Sequence, residues 1–294
     1  MTQVKAPASP VTAPLCIGDA GRAARELPAG LPTGRPWLAD AELSAATVSG
    51  SLLLAATVRG LQHRAHGEPR QDAFAISHHR PAGQAARVIA VVCDGASSLG
   101  RSDEAAAVVS RRLACLGAAG VPWPEAFFRA NEALREFAAE SADEEGTDSA
   151  ADGMATTAAA LAVHREARGW VGDLAWVGDS AAWHLGDDAR WTLLSGIEEE
   201  PEPGWDLVEV RPLPSGDGRC SATTFQVSGG AIFLMTSGVW HPLSWSAGVR
   251  QTLARWWARP PDLFSFAAQV GFARKTHTDD RTVIGIWPDE TEAT

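Results

Sequence analysis

Aspartates stand at the ends of several apolar runs in this chain. Asp94 closes RVIAVVCD (87–94), Asp179 closes WVGDLAWVGD (170–179), Asp72 opens QDAFAI, and Asp279 with Asp280 precedes RTVIGIW (281–287). A single carboxylate at a strand end is usually a turn residue or a cap. The same relation repeated on different strands has more content, because the strands of one sheet deliver their ends to a common edge. Carboxylates gathered there repel one another unless a cation lies between them, and hard oxygen ligands suit Mg²⁺ or Mn²⁺. The pattern therefore predicts a divalent-metal site.

Such a site needs strands to carry it, and the chain has about ten candidates. Besides the runs above they are SLLLAATV (51–58), TTAAALAVH (156–164), AAWHLG (181–186), ARWTLLS (189–195), WDLVEVR (205–211), ATTFQVS (222–228) and AIFLMTS (231–237). Helical patterns interrupt them at 102–117 and 123–140, and again at 243–259 and 262–276. The order is strands, two helices, many strands, two helices, strand. That is not the βαβα alternation of a doubly wound parallel sheet; it fits antiparallel sheets with helices on their outer faces. Residues 1–50, rich in Ala, Pro and Gly, read as an irregular leader, 51–288 as one domain and 289–294 as a tail. The acidic stretches SADEEGTDSAADG (141–153) and GIEEEPEPG (196–204) read as solvated loops that disfavour acidic substrates and favour a basic flank.

Composition removes other chemistries. The chain has 294 residues, no Tyr, and a formal charge of −11. Lysine occurs only at Lys5 and Lys275, neither after a glycine-rich turn, so there is no P-loop. No run of arginine offsets the acidity, and nucleic acid is not an expected partner. No apolar stretch approaches the roughly 18 residues of a membrane helix, so no membrane is expected and the protein reads as cytoplasmic. Cys16, Cys93, Cys115 and Cys220 are scattered without a CxxC pair, against a zinc knuckle or a disulfide framework.

In order, RGLQHRAHGEPRQDAFAI (59–76), VVCDGASS (91–98), MATTAAALAV (154–163), LAWVGDSAAWHL (174–185), AIFLMTSGVWHPL (231–243) and HTDDRTVIGI (277–286) resemble the successive motifs of the metal-dependent type-2C (PPM) Ser/Thr protein phosphatases. The resemblance implies an α+β fold, a four-layer α/β/β/α sandwich of two antiparallel sheets flanked by helix pairs. It implies hydrolysis of phosphoserine and phosphothreonine in proteins by a water activated between two Mn²⁺ or Mg²⁺ ions. Asp94 would bridge the ions, the Gly95 carbonyl would bind one of them, and Asp279 would ligate the other. Asp72 would hold metal-bound water, Asp179 would help bind a third ion, and Thr156 and Thr157 would be structural. The implied partners are a phosphorylated protein and, as functional counterpart, a Ser/Thr kinase.

The chain also departs from that pattern. Where the family has an Asp-Gly that ligates the first metal, this sequence has Ser237-Gly238, with Asp280 and His241 as candidates to compensate. Where the family has a phosphate-binding arginine there is Gly67, leaving Arg70, Arg59 and His63 as phosphate-binding candidates. The GDSRAY-like motif has Ala181 for its arginine. A neutral hydroxyl in place of a carboxylate weakens ion binding, so two readings stand: an active phosphatase, and a pseudophosphatase that binds a phosphoprotein or partner without turnover. Rival motifs carry less. GDSA (178–181) lacks the late Asp-x-x-His of a lipase-type hydrolase, and there is no G-x-S-x-G elbow. Of the 12 Trp, the adjacent Trp256 and Trp257 read as packing helices on a sheet with one of them half-exposed.

Overall fold

The computed structural model describes residues 14–21, 24, 30–96, 100–145, 153–167, 169–195 and 212–289. Eleven strands form two sheets among these residues. The first sheet has the order β1 (Ala41–Val48), β2 (Ser51–Val58), β11 (Arg281–Pro288), β10 (Ala231–Met235), β7 (Ala181–Leu185), β8 (Trp191–Leu193). The second runs β3 (Ala73–His79), β4 (Arg87–Gly95), β5 (Thr156–Glu166), β6 (Gly169–Val177), β9 (Ser221–Ser228). Every strand pair is antiparallel.

Period-2 alternation stacks the layers, because successive strand residues point to opposite faces. From β4, Val88, Ala90 and Val92 enter the core between the sheets, together with Leu53, Leu161, Ile232, Leu234, Ile284 and Ile286. Their neighbours Ile89, Val91 and Cys93 face outward and pack under α2 (Ser102–Ala118) and α3 (Trp123–Glu145) with Val109, Leu113, Phe127 and Leu134. On the far side, Leu54, Phe233, Met235 and Trp287 meet α4 (Ser237–Trp245), α5 (Ala247–Trp257) and α6 (Leu263–Val270). This is the four-layer α/β/β/α sandwich, and the central strands of both sheets are buried on both faces, which is why they read as nearly continuous apolar runs. Trp257 is fully buried against Phe233, ring centroids 5.2 Å apart, while its neighbour Trp256 is only partly buried.

Two parts of the stretch expected to be irregular are built into the fold. Residues 41–48 form β1, in full register with β2, and Cys16 bridges Ala273 beside a hydrogen bond from Ile17 N to the Ala273 carbonyl. The pattern of β1, AELSAATV, is only half-buried, as befits an edge strand, so its sequence lacks an apolar face to announce it. A short helix, α1 (Leu61–His66), also went unanticipated. Of the acidic stretch at 141–153, residues 141–145 continue α3; its remainder down to 152, the 196–204 stretch and the strand candidate at 205–211 lie outside the described residues. Among the described residues no helix is long and apolar enough to cross a membrane.

Candidate active site

Antiparallel pairing brings one end of both sheets into register at the predicted residues. Asp72 immediately precedes β3, whose Ala73 pairs with Cys93, and Asp94 pairs with Thr157 at the start of β5. Asp179 follows β6 and precedes β7, whose Ala181 pairs with Met235 at the end of β10, just before Ser237. Asp279 and Asp280 enter β11 beside the end of β2, Arg281 opposite Val58. The backbone packs tightly here: a Cβ at Gly60 would lie 2.4 Å from the Asp279 carbonyl carbon, and one at Gly238 would lie 1.9 Å from the Asp280 carbonyl oxygen. Only glycine permits that approach on either side of the two aspartates.

The adjacent aspartates have different roles. Asp280 is buried, and both its oxygens are engaged: Oδ1 accepts from Gly60 N at 2.6 Å and pairs with His63 Nδ1 at 2.8 Å, while Oδ2 accepts from Gln71 N at 2.5 Å and Asp72 N at 3.4 Å. It ties the β2 exit, α1 and the β3 entrance to β11, and it has no lone pair directed at a compensating ligand role. Asp279 has an exposed outer edge and lines an open cleft with Ser237, Gly238 and His241.

Asp72 is nearly inaccessible, and its Oδ2 accepts from Thr236 Oγ1 at 2.8 Å and Thr282 Oγ1 at 2.7 Å. Its Oδ1 is buried and has no partner. Sequence reasoning missed the two threonines; the signal available was a threonine at the end of β10 and another two residues after Asp280, each at the rim of the aspartate edge. Asp94 is half-buried, and its Oδ2 accepts from Ser237 Oγ at 2.7 Å. Thr156 Oγ1 donates to the Asp94 carbonyl at 3.0 Å, and Thr157 Oγ1 lies 3.0 Å from Ser180 Oγ, so both threonines brace the edge as expected.

The electrostatics are those of like charges held together. Burial, then the charges of Asp94 and Asp280, push Asp72 well above the usual carboxylate range. Burial, then Asp279 and Asp179, do the same to Asp94, with the Ser237 bond opposing. Asp179 is raised by burial, and Asp279 by the protein packed around it and by Asp280. Burial would lower His63, but its hydrogen bond to Asp280 outweighs that and holds it above the ordinary imidazole value.

Two of the phosphate-binding candidates are committed elsewhere. The Arg59 guanidinium is enclosed and donates to the Gly30 carbonyl, Asp40 and the His63 carbonyl, which leaves no open face for a phosphate. His63 is held by Asp280. Arg70 is mostly buried and donates to Glu42 at 2.6 Å, and its Nε and Nη1 have no partner. It lines a cavity of about 320 Å³ with Asp72, Trp37 and Arg35, separate from the cleft that Ser237 and Asp279 line. Arg35 closes one wall of that cavity by pairing with Asp103 and Glu104 in the first turn of α2.

As a place for a divalent cation, the edge fits in its donor chemistry: oxygen donors, a buried unsatisfied Asp72 Oδ1, and carboxylates whose mutual repulsion a cation would relieve. Among the described residues, however, no three His, Cys, Asp or Glu side chains are gathered into a ready-made ligand set.

The sequence of residues 59–263, more than half of the chain, matches the family model described as protein phosphatase 2C. The chain belongs to the protein phosphatase 2C family. Its fold is similar to that of the S. agalactiae serine/threonine phosphatase, at 14% identity and TM-score 0.54, covering 84% of this chain and 99% of that one. Serine/threonine phosphatase Stp1 from Staphylococcus aureus matches at 16% and 0.53, covering 88% and 96%. RsbX in complex with magnesium matches at 15% and 0.52, covering 83% and 98%. At these identities the likeness is one of fold. No curated protein matches the chain.

Proposed function

We propose that this protein hydrolyses phosphoserine and phosphothreonine in proteins in a metal-dependent reaction, as the counterpart of a Ser/Thr kinase. The observation that carries the reading is the convergence of Asp72, Asp94, Asp179 and Asp279 on one end of a protein phosphatase 2C fold, with raised proton affinities that come from burial and from one another. The residues that would hold Mn²⁺ or Mg²⁺ are Asp94, Asp279 and the Gly95 carbonyl, with Asp179 beside them; the magnesium complex of RsbX supports the choice of ion. Bound there, a divalent cation would supply Lewis-acid activation of a water and neutralise charge on the phosphoryl group.

The chain's own groups do the positioning. Thr236 and Thr282 fix the Asp72 carboxylate through Oδ2, leaving Oδ1 a buried acceptor without a partner, which would hold water on a bound cation. Ser237 orients Asp94 through its hydroxyl without adding charge. Asp280 sets the backbone that presents Asp72 and so acts through it. Arg70, with two unpartnered donor atoms, is the remaining arginine of the three phosphate-binding candidates.

A second reading rests on Ser237 itself, a neutral donor beside Asp94 where the related motif supplies a ligand. It makes the protein a pseudophosphatase that binds phosphoprotein without turnover. The deciding experiment is hydrolysis of a phosphothreonine peptide with added Mn²⁺: turnover abolished by Asp94→Ala supports the enzyme. No turnover in the wild type, together with turnover created by Ser237→Asp, supports the binding protein.

A further inference from the structure

The cleft beside the aspartate edge shares Ser237 and Asp279 with the proposed site and is otherwise built from groups the proposed chemistry does not use. It measures about 480 Å³ and is lined by Ser237, Gly238, His241 and Trp245 of α4, by Gln62, and by Thr276, His277, Thr278 and Asp279. That size falls in the ordinary range for ligand clefts, about 300–1,000 Å³. Its floor touches the proposed site, since Ser237 is bonded to Asp94 and Asp279 belongs to both.

Trp245 is the outstanding group. It is 61% exposed at the end of a helix whose other indole, Trp240, is buried. His241 lies one turn earlier and stacks on it, centroids 5.1 Å apart and planes at 15°, while His277 stands 6.0 Å away on the facing loop. His241 is braced in turn by an edge contact from Trp240 at 4.2 Å, and Trp240 Nε1 donates to the Asp179 carbonyl. The exposed indole is therefore a rigid shelf rather than a loose side chain. The opposite wall holds a backbone outlier: Thr276 has φ +68°, a left-handed conformation that a β-branched residue adopts only when its surroundings impose it. Strain of this kind concentrates at ligand clamps and other functional sites.

The lining selects an occupant by its chemistry. Asp279 is the one carboxylate among the lining residues, and there is no Lys or Arg. The remaining polar groups are hydroxyls, an amide and two imidazoles, so neither an acidic nor a purely apolar side chain is matched. A planar, weakly hydrated cation is matched, because a guanidinium stacks on an indole face while its N–H groups reach carboxylate and hydroxyl oxygens. An extended peptide advances about 3.3 Å per residue, so a side chain one or two positions from the phosphorylated residue reaches such a neighbouring cleft.

We infer that this cleft is a subsite for an arginine side chain next to the phosphorylated residue of a phosphopeptide, with its guanidinium on the exposed face of Trp245 and its N–H groups toward the hydroxyls of Thr276 and Thr278 and any Asp279 oxygen that a bound cation leaves open. The inference rests on the phosphatase reading for its substrate class but not on turnover. Two measurements keep the two apart. The first is KM and kcat with Mn²⁺ for phosphothreonine peptides that differ in one flanking residue, Arg, Ala, Glu or Phe, placed on either side. The second is calorimetric binding of the same peptides.

In the wild type, the arginine peptide on one side binds about three- to tenfold more tightly than its alanine counterpart and shows the same ratio in KM, the size expected of a partly exposed cation–π contact. Trp245→Ala brings that ratio to one, and Trp245→Phe, which keeps an aromatic face, retains most of it. Using the ratio within each variant cancels any general loss of fold or activity. Equal binding of the arginine and alanine peptides, a preference for Glu or Phe, or an arginine preference that survives Trp245→Ala overturns the subsite. If no peptide is turned over but the Trp245-dependent preference appears in calorimetry, the subsite stands and the phosphatase reading falls. Turnover without the preference has the opposite meaning.

Discussion

Ser237 donates its hydroxyl to Asp94 Oδ2 at 2.7 Å, within a cluster where Asp94 is already pushed up by burial, Asp279 and Asp179. Ser237→Asp replaces that donor with another carboxylate. Loss of a hydrogen bond to a charged acceptor costs about 1.5–3 kcal/mol. Two charges about 4 Å apart add about 4 kcal/mol at an effective dielectric of about 20. Protonation of one carboxyl relieves much of the second cost, because the cluster's proton affinity is already high, so a net loss of about 2–4 kcal/mol is expected in metal-free protein. For a domain of this size each kcal/mol moves Tm by about 2–4 °C, which gives a drop of about 5–15 °C in EDTA. A cation turns the added negative charge from a cost into a gain: Mn²⁺ at about 100 times Kd returns about 2.7 kcal/mol. Differential scanning fluorimetry with and without Mn²⁺ measures both halves. A variant that melts with the wild type in EDTA, or gains no more from Mn²⁺ than the wild type does, refutes the reasoning that Ser237 stands at a cation site.

Three further outcomes follow from the same geometry. With Asp72, Asp94, Asp179 and Asp279 all raised, the folded state holds protons more tightly than the unfolded chain, so their contribution is intact at low pH and is lost as pH climbs through the raised values. Metal-free protein should therefore draw more stability from this cluster at the acidic end of its stable range than at the alkaline end, and Asp94→Asn should flatten that slope while abolishing phosphopeptide hydrolysis; a steeper slope in the variant counts against it. Asp280→Ala removes the acceptor shared by Gly60, Gln71, Asp72 and His63 and should cost about 3–5 kcal/mol by denaturant titration. Arg59→Ala should lower Tm with little effect on phosphopeptide KM, since its bonds go to Gly30, Asp40 and His63; a KM rise matching that of Arg70→Ala would show that Arg59 reaches phosphate.

Much of this architecture is legible in the chain itself. Runs such as RVIAVVCD and AIFLMTS carry their strand character in β-branched and apolar residues, and the order of strands and helices excludes the parallel alternative before any coordinate is known. The placement of Asp72, Asp94, Asp179 and Asp279 at strand ends is local information, so their arrival at one edge could be anticipated. The edge strand AELSAATV was hidden because backbone pairing along the edge of β2, not its own apolar content, holds it in place.

What the sequence alone determined is the set of residue types and the direction in which each strand delivers them. The division of labour among them comes from the way the chain folds back on itself. Asp279 and Asp280 are chemically identical and adjacent, yet the backbone N–H groups of Gly60, Gln71 and Asp72, more than 200 positions away in sequence, claim Asp280 and leave Asp279 at the cleft. The same holds for Arg59 and Arg70: both terminal nitrogens of Arg59 are claimed by Gly30, Asp40 and His63, whereas Arg70 keeps its Nη1 without a partner. A buried polar group takes whatever partner the fold brings within hydrogen-bond reach, and that partner is set by chain crossings no local pattern encodes.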